Sequence, residues 1–301
     1  MYSSITIVIP NFNGIHLLKR HLPSVVAHSV GAQIIVVDDA STDTSLSWLS
    51  KKYPNVKIIQ NQKNLGFAAT VNRGFKAATG NLVLLLNNDV SINQHTIEKL
   101  KLHFSNKQVF AVGALEKLPR GKRRGKSQGR FARGLLIHSK ANKLNSGPTL
   151  WTFAASGMFN KSIWLGLGGL DTLYKPAYYE DIDIGYRAWK AGFVCLFEPG
   201  ATVEHDAEAT MNKTFGAKKT MYVFKNQLLF FWKNVTDLDL ILLHLLWTPY
   251  HLIITTIKTR GAFLAGFILA LLQLDQVSAQ ESKFPNRFAD KEVIKMISKT
   301  D

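Results

Sequence analysis

Four short apolar runs, Ile5–Ile9, Ile34–Val37, Val56–Ile59 and Leu82–Leu86, alternate with helix-like stretches along the start of this chain. A short, all-apolar run such as Leu82–Leu86 reads as a strand buried on both faces. The alternation implies an α/β fold, a mostly parallel sheet flanked by helices. Open sheets of that kind bind ligands at the carboxyl ends of their strands. Polar residues stand there: Pro10-Asn11-Phe12-Asn13-Gly14 after the first run, Asp38-Asp39 after the second, Asn87-Asn88-Asp89 after the fourth. One carboxylate beside amide oxygens is hard-oxygen chemistry, suited to a magnesium- or manganese-bound diphosphate.

The helices between these runs are expected at Leu17–His28, after the capping residues Ser41-Thr42-Asp43 through Trp48, and within Asn64–Ala78. Beyond residue 110 the pattern changes. Lys117, Arg120, Lys122, Arg123, Arg124, Lys126, Arg130 and Arg133 are interleaved with glycines, which predicts a mobile basic loop over 117–143. Thr152–Ala155 is strand-like and Gly166–Tyr179 is loop. Glu180 opens a helix through Trp189, and Phe193–Phe197 is another strand. Domain boundaries are expected at 1–234, divided near residue 110, and 235–301.

The last part is apolar. Leu240–Ile257 is 18 residues without Asp, Glu, Lys or Arg, and Ala262–Leu274 is a second run of 13. The first is near the length that spans a bilayer, and the second is too short to span alone. Two helices lying in or on a membrane are the preferred reading, with a spanning hairpin and a packed or dimer-interface pair as the alternatives. Oligomeric state stays open.

A net charge of +16 calls for an anionic partner: a phosphate substrate, an acidic membrane or a nucleic acid. The single cysteine, Cys195, excludes a disulfide framework and a cysteine-built zinc site. The first residues carry no export signal, so the expected location is the cytoplasmic face of a membrane.

Acidic groups recur at element ends: Asp38-Asp39, Asp89, and Glu180-Asp181 with Asp183. Such grouping is costly unless a cation or substrate hydroxyls compensate it. Amides near Asn64-Leu65-Gly66 and Asn72-Arg73-Gly74 flank a helix start, where N–H groups can meet phosphate.

The ordered set of these pieces resembles the family 2 inverting glycosyltransferases of GT-A fold. It runs from Val8–Gly14 and Val36–Asp43 through Asn64–Ala68, Asn72–Gly74 and Leu86–Asp89. It continues with Ala155-Ser156-Gly157, Gly168–Asp171 and Tyr179–Asp183 to Arg187. Residues 4–234 are covered, in the style of the rhamnosyltransferase-like branch of cell-surface glycan assembly. The resemblance implies transfer of a hexosyl or deoxyhexosyl group from a nucleoside-diphosphate sugar to a glycan or lipid-linked acceptor, with Mn2+ or Mg2+. Pro10, Asn11, Asp38, Asp39, Asn64, Gly66, Asn72 and Asn88 would hold the donor. Asp89 and His205 would hold the metal. Asp181, or Glu180 in its place, would be the general base. Gly169, Asp171 and Tyr179 would lie on the acceptor side. Two departures stand out: Asn87 takes the place of the first acid in the family's Asp-x-Asp motif, and Val71 stands where many relatives have Arg.

Two competing functions are weighed. A basic nucleic-acid- or membrane-binding protein without catalysis rests on the arginine cluster, which lacks interleaved aromatics, so no nucleic acid is expected. A dinucleotide oxidoreductase lacks its G-x-G-x-x-G after the first strand.

Overall fold

The computed structural model describes residues 4–206, 218–277 and 282–298. Its strands are β1 (Ile5–Asn11), β2 (Gln33–Asp38), β3 (Lys57–Gln60), β4 (Leu82–Leu86), β5 (Val90–Ile92) and β6 (Val109–Lys117). They continue as β7 (Arg123–Arg124), β8 (Ser127–Ala132), β9 (Leu135–Lys140), β10 (Gly147–Pro148), β11 (Ser156–Asn160) and β12 (Val194–His205). The main sheet runs β10–β12–β6–β11–β4–β1–β2–β3, with β5 on β12 and β7 on β6. The half from β3 to β4 is parallel; β11 then enters antiparallel to both β4 and β6. That reversal beside β4 is where an open sheet leaves a crevice for ligands.

The all-apolar runs behave as buried parallel strands should. Val8 and Leu85 face one core, and Ile7, Ile9, Leu84 and Leu86 face the other, so both sides of the sheet are covered. The covering helices are α1 (Ile15–Ala27), α2 (Ser45–Lys52), α3 (Phe67–Ala77), α4 (Thr96–Lys101), α5 (Lys161–Gly166) and α6 (Glu180–Lys190).

Two expectations need correction. The basic stretch is not a mobile loop: β7 pairs with β6, and β8 and β9 form a hairpin in register from Ser127–Lys140 to Ala132–Leu135. Leu135 and Leu136 are buried in the main core and Phe131 packs against it, while Arg130 and Arg133 stay outside. Charge and glycine thus decorate one face of an ordered hairpin whose other face is apolar. The strand expected at Thr152–Ala155 lies just after it, at β11, where residues 156–160 pair with β4.

After β12 come α7 (Lys219–Asn234), α8 (Leu238–Lys258), α9 (Ala262–Leu271) and α10 (Asp290–Ser298). A π-helical turn at His251–Thr255 interrupts α8 just after Pro249, a common cause of a helix irregularity. Leu228, Leu229 and Phe230 of α7, Phe263 and Ala270 of α9, and Val293 and Ile297 of α10 belong to the same core as β1. A buried ion pair, Lys190 Nζ to Asp290 Oδ1 at 2.8 Å, fastens α10 to α6.

Candidate active site

Three strand ends supply the floor of the site, and Asn11 links them. Its Nδ2 donates to Asp38 Oδ1 at 2.9 Å, and its Oδ1 accepts from Asn88 Nδ2 at 2.8 Å. Gly14 makes room: a Cβ there would stand 2.2 Å from Asn88 Nδ2 and 2.5 Å from Asn11 Oδ1. Pro10 sits beside this cluster, opposite Val37 in the β1–β2 ladder. Asp38 also accepts from the Ser41 N–H and hydroxyl at 2.9 and 2.6 Å.

Asp39 has a different task. It accepts from Asn61 Nδ2 at 2.7 Å, Leu65 N at 2.8 Å and Gly66 N at 2.9 Å. The amides expected to meet phosphate are therefore spent on Asp39, and Asn64 Oδ1 accepts from Gly66 N at 3.1 Å as well. Asn72, expected beside the donor, clasps Leu170 instead: Nδ2 donates to its carbonyl at 2.7 Å and Oδ1 accepts its N–H at 2.9 Å.

Asp89 lies at the β4 end, 7% exposed, with His205 Nε2 at 3.3 Å from its Oδ1, too poorly aligned for a hydrogen bond. His205 ends β12, and its Nδ1 meets Glu116 Oε2 at 2.8 Å. Glu116 is fully buried and also accepts from Ser156 Oγ and Arg124 Nε, each at 2.6 Å. Burial alone would raise the Glu116 carboxyl, but the His205 ring, Arg124 and Ser156 outweigh it and hold it at about 2. Burial likewise opposes charge on His205, yet Asp89 and Glu116 raise it to about 9.

This arrangement suits a hard divalent cation. A metal-ligating histidine typically gives its other N–H to a carboxylate, as Nδ1 does to Glu116, leaving Nε2 for the ion once deprotonated. Among the described residues, Asp89 Oδ1 and Asn87 Oδ1 are both buried without a hydrogen-bond partner. Among the described residues, no group of three or more His, Cys, Asp and Glu forms a complete cage. Such a cation would take the rest of its shell from substrate phosphate and water, as Mg2+ commonly does.

Glu180 and Asp181 open α6. They follow Tyr178 and Tyr179, which both hold positive φ, at 74° and 81°. Asp181 accepts from its neighbour Ile182 N at 2.9 Å, and the Ala154 amide stands near enough to favour its charged form. The next residue, Ala155, accepts the Asn87 N–H at 3.1 Å. The 154–155 turn thus joins the α6 acid to the β4 tip. Burial raises both carboxyls above their ordinary range; the Asp181 charge pushes Glu180 further up, while backbone amides and Arg124 hold Asp181 back, and among the described residues Glu180 Oε2 has no partner.

The expected acceptor-side residues are placed elsewhere. Tyr179 is 2% exposed, with its ring among Tyr174, His138 and Phe230. Asp171 caps Leu173 N at 2.9 Å and pairs with Lys233 Nζ at 2.6 Å. Gly169, at φ 75°, is hemmed by Asn72, and its carbonyl accepts from Arg187 Nη2 at 2.8 Å. All three brace α6 rather than line an open surface. Asp183 does the same, bonded to Tyr174, Arg187, Lys233 and Asn234.

Glu116, Arg124 and Asn226 belong to the site and were missed by sequence reasoning. Glu116 did leave a trace, an acid directly after the apolar run Val109–Leu115. Arg124 was hidden among other arginines. Asn226, mid-helix in α7, had no local signature.

The sequence family described as Glycosyl transferase family 2 matches residues 6–163. Pre-mycofactocin glycosyltransferase of Mycobacterium tuberculosis is 27% identical over 73% of this chain and 46% of its own length. The N-acetylglucosaminyl-diphospho-decaprenol L-rhamnosyltransferase of the same organism is 25% identical over 62% of this chain and 71% of its own length. The chain therefore spans about half the length of the first of these relatives. In fold it is similar to GalNAc-T7, crystallised with UDP, GalNAc and Mn2+, at TM-score 0.64 and 15% identity over 93% of this chain and 55% of that one. It is also similar to S. aureus TarS 1–349, at TM-score 0.60 and 14% identity over 98% of this chain and 83% of that one. With the strand order, the β4 tip and the family match in agreement, the chain belongs to glycosyl transferase family 2, with the GT-A arrangement of its sheet.

Proposed function

We propose that this chain moves a hexosyl or deoxyhexosyl group from a nucleoside-diphosphate sugar to a hydroxyl of a glycan or lipid-linked acceptor, inverting the anomeric centre. The observation that carries the reading is the 154–155 turn: its Ala155 carbonyl accepts the Asn87 N–H at 3.1 Å, and its Ala154 amide stands near enough to the Asp181 carboxyl to act on it. It sets a carboxylate of raised pKa against the strand tip that would receive the diphosphate. A raised pKa suits proton abstraction near neutrality.

Asp181 takes the proton of the acceptor hydroxyl as its oxygen attacks the anomeric carbon. The bond from that carbon to the diphosphate oxygen breaks on the opposite face, and the electron pair leaves with the nucleoside diphosphate. Asn11, Asp38 and Asn88 shape the nucleotide end of the cleft. Asp89, His205 and Asn87 would hold Mn2+ or Mg2+, which neutralises diphosphate charge when bound. The Mn2+ in the GalNAc-T7 structure supports that choice.

A lipid-linked acceptor is supported by the decaprenol in the rhamnosyltransferase's name and by the tail of this chain. Little of the apolar surface of α8 is buried within the fold. Its inner side is fastened down: His244 Nδ1 donates to Gly134 O at 2.7 Å and His251 Nε2 to Arg133 O at 2.8 Å. A helix tied sideways to the β8–β9 turn favours lying in the interface over crossing it. Arg133 stands over Trp247 and Tyr250 at 5.8 and 5.4 Å, an arrangement suited to the headgroup level.

Asp181→Asn tests the mechanism. Donor affinity is expected to stay near wild type while turnover falls about a hundredfold or more. The donor is chosen by thermal shift from a panel of nucleotide sugars with Mn2+. Full activity in Asp181→Asn together with a dead Glu180→Gln exchanges the two roles; full activity in both removes the mechanism.

A further inference from the structure

We infer that Arg124 is a diphosphate-binding residue, an anion subsite between Asp89 and Asp181 that meets the charge of the departing nucleoside diphosphate. This rests on the glycosyl-transfer reading and adds a role for a strand, β7, that the family match treats only as sequence.

The geometry carries it. The Glu116 carboxylate is the anchor: Arg124 Nε donates to it at 2.6 Å, and the Phe153 ring lies 5.1 Å from the guanidinium carbon. One edge and one face of the guanidinium are thereby fixed. A guanidinium has five N–H donors. Nε is spent on Glu116. Nη2 comes within 3.3 Å of His205 Nδ1, but that ring nitrogen already gives its proton to Glu116 and offers no lone pair. Among the described residues, no acceptor answers Nη1. Arg124 keeps a quarter of its side chain exposed, whereas Glu116 beside it is sealed.

Its surroundings say what the free edge faces. The chain Arg124, Glu116, His205, Asp89 is continuous, so the guanidinium stands three contacts from the β4 tip. Its charge also acts on the Asp181 carboxyl. A fixed cation with unspent planar donors, between the attacking side and the cation-binding side, is preorganised for a polyanion. The β4 tip has a particular need of it. Asn87 stands where a second carboxylate would recruit a divalent cation more strongly, so more of the diphosphate charge falls to the chain's own cations.

Metal-free binding separates this from a structural role. UDP, GDP and dTDP, each with its parent nucleoside, are titrated calorimetrically in EDTA against wild type, Arg124→Gln and Arg124→Lys. Wild type should bind one diphosphate measurably. Arg124→Gln should weaken it about tenfold or more, the scale of a charge-assisted bond, and leave the nucleoside unchanged. Arg124→Lys should fall between, because a point charge lacks the planar fork. It also keeps the result readable should the glutamine variant fold poorly. Equal diphosphate affinity in all three proteins overturns the inference, and so does an equal fold-loss for nucleoside and diphosphate. If wild type binds no nucleoside diphosphate with or without Mn2+, the glycosyl-transfer reading falls and the subsite with it. Binding by wild type with no change in the variants sinks the subsite alone.

Discussion

Asp183 has no place in the chemistry, yet it is the most heavily committed carboxylate near the site. Burial would raise its pKa, but Arg187 and Lys233 outweigh that and hold it below the usual carboxylate range. A depressed folded-state value means stability that is present above the unfolded pKa of about 3.9 and is lost as pH falls below it. Asp183→Asn leaves Arg187 and Lys233 facing a neutral group inside the core. Breaking a buried pair this way costs about 3–5 kcal/mol. Urea unfolding at pH 7 should show that loss, and the gap between variant and wild type should narrow between pH 4 and pH 2. A gap that stays constant across that range would mean the carboxylate contributes by packing and not by charge. Asp181, two residues earlier, has the opposite environment and the opposite shift. Two residues on one helix thus separate an acid kept ionised for structure from an acid whose raised pKa suits the proton transfer proposed for it.

At the scale of elements, α7 positions α6. Asn226 Nδ2 donates to the carbonyls of Tyr174, Ala177 and Tyr178 at 2.8, 2.9 and 2.9 Å. These carbonyls lead into two left-handed tyrosines, a conformation that costs about 1–3 kcal/mol per residue and persists only when its surroundings enforce it. Asn226→Ala is expected to lower kcat about tenfold to a hundredfold through misplacement of Asp181 while the donor KM stays near wild type. Lowered thermal stability with unchanged kcat would reduce Asn226 to scaffolding. This element also shows what a sequence can and cannot disclose. β4 and the start of α6 were legible to the residue, because an apolar run and an acidic helix start are local signals. The β8–β9 hairpin was not. Its order comes from distant partners, among them Gln227 of α7 donating to Leu136 O at 2.9 Å. Glu116 was hidden for the same reason: its histidine lies 89 residues away, and no periodicity reaches that far. Asp89 and His205, paired by their order along the chain, do stand 3.3 Å apart; the carboxylate that orients His205 was not foreseen.

At the scale of the whole molecule, apolar exposure is concentrated in one region. Among the described residues, twelve of the seventeen large hydrophobic side chains that remain exposed lie between Leu238 and Leu274, among them Leu246 at 74% and Ile257 at 70%. Exposed patches of this kind mark a partner. A bilayer fits better than a second protein surface, because Lys258 and Arg260 sit exposed at the end of the same helix and the chain carries +16 overall. Leu246→Asp with Ile257→Asp alters two side chains that touch little of the fold. Burying each in lipid is worth about 1.5 kcal/mol or more, so together they should lower partitioning onto phosphatidylglycerol vesicles about a hundredfold. Wild type should sediment with such vesicles, resist release by salt more than a purely electrostatic binder, and come away in carbonate as a helix lying in the plane does. Retention in carbonate would restore the spanning hairpin. The double variant should keep its donor affinity, since both side chains are exposed and take no part in the bonds among the strand-tip residues proposed to hold the donor. Its transfer to a lipid-linked acceptor should fall, and its transfer to a water-soluble acceptor should not. Equal sedimentation of the two proteins would leave this face to a second protein rather than to the membrane.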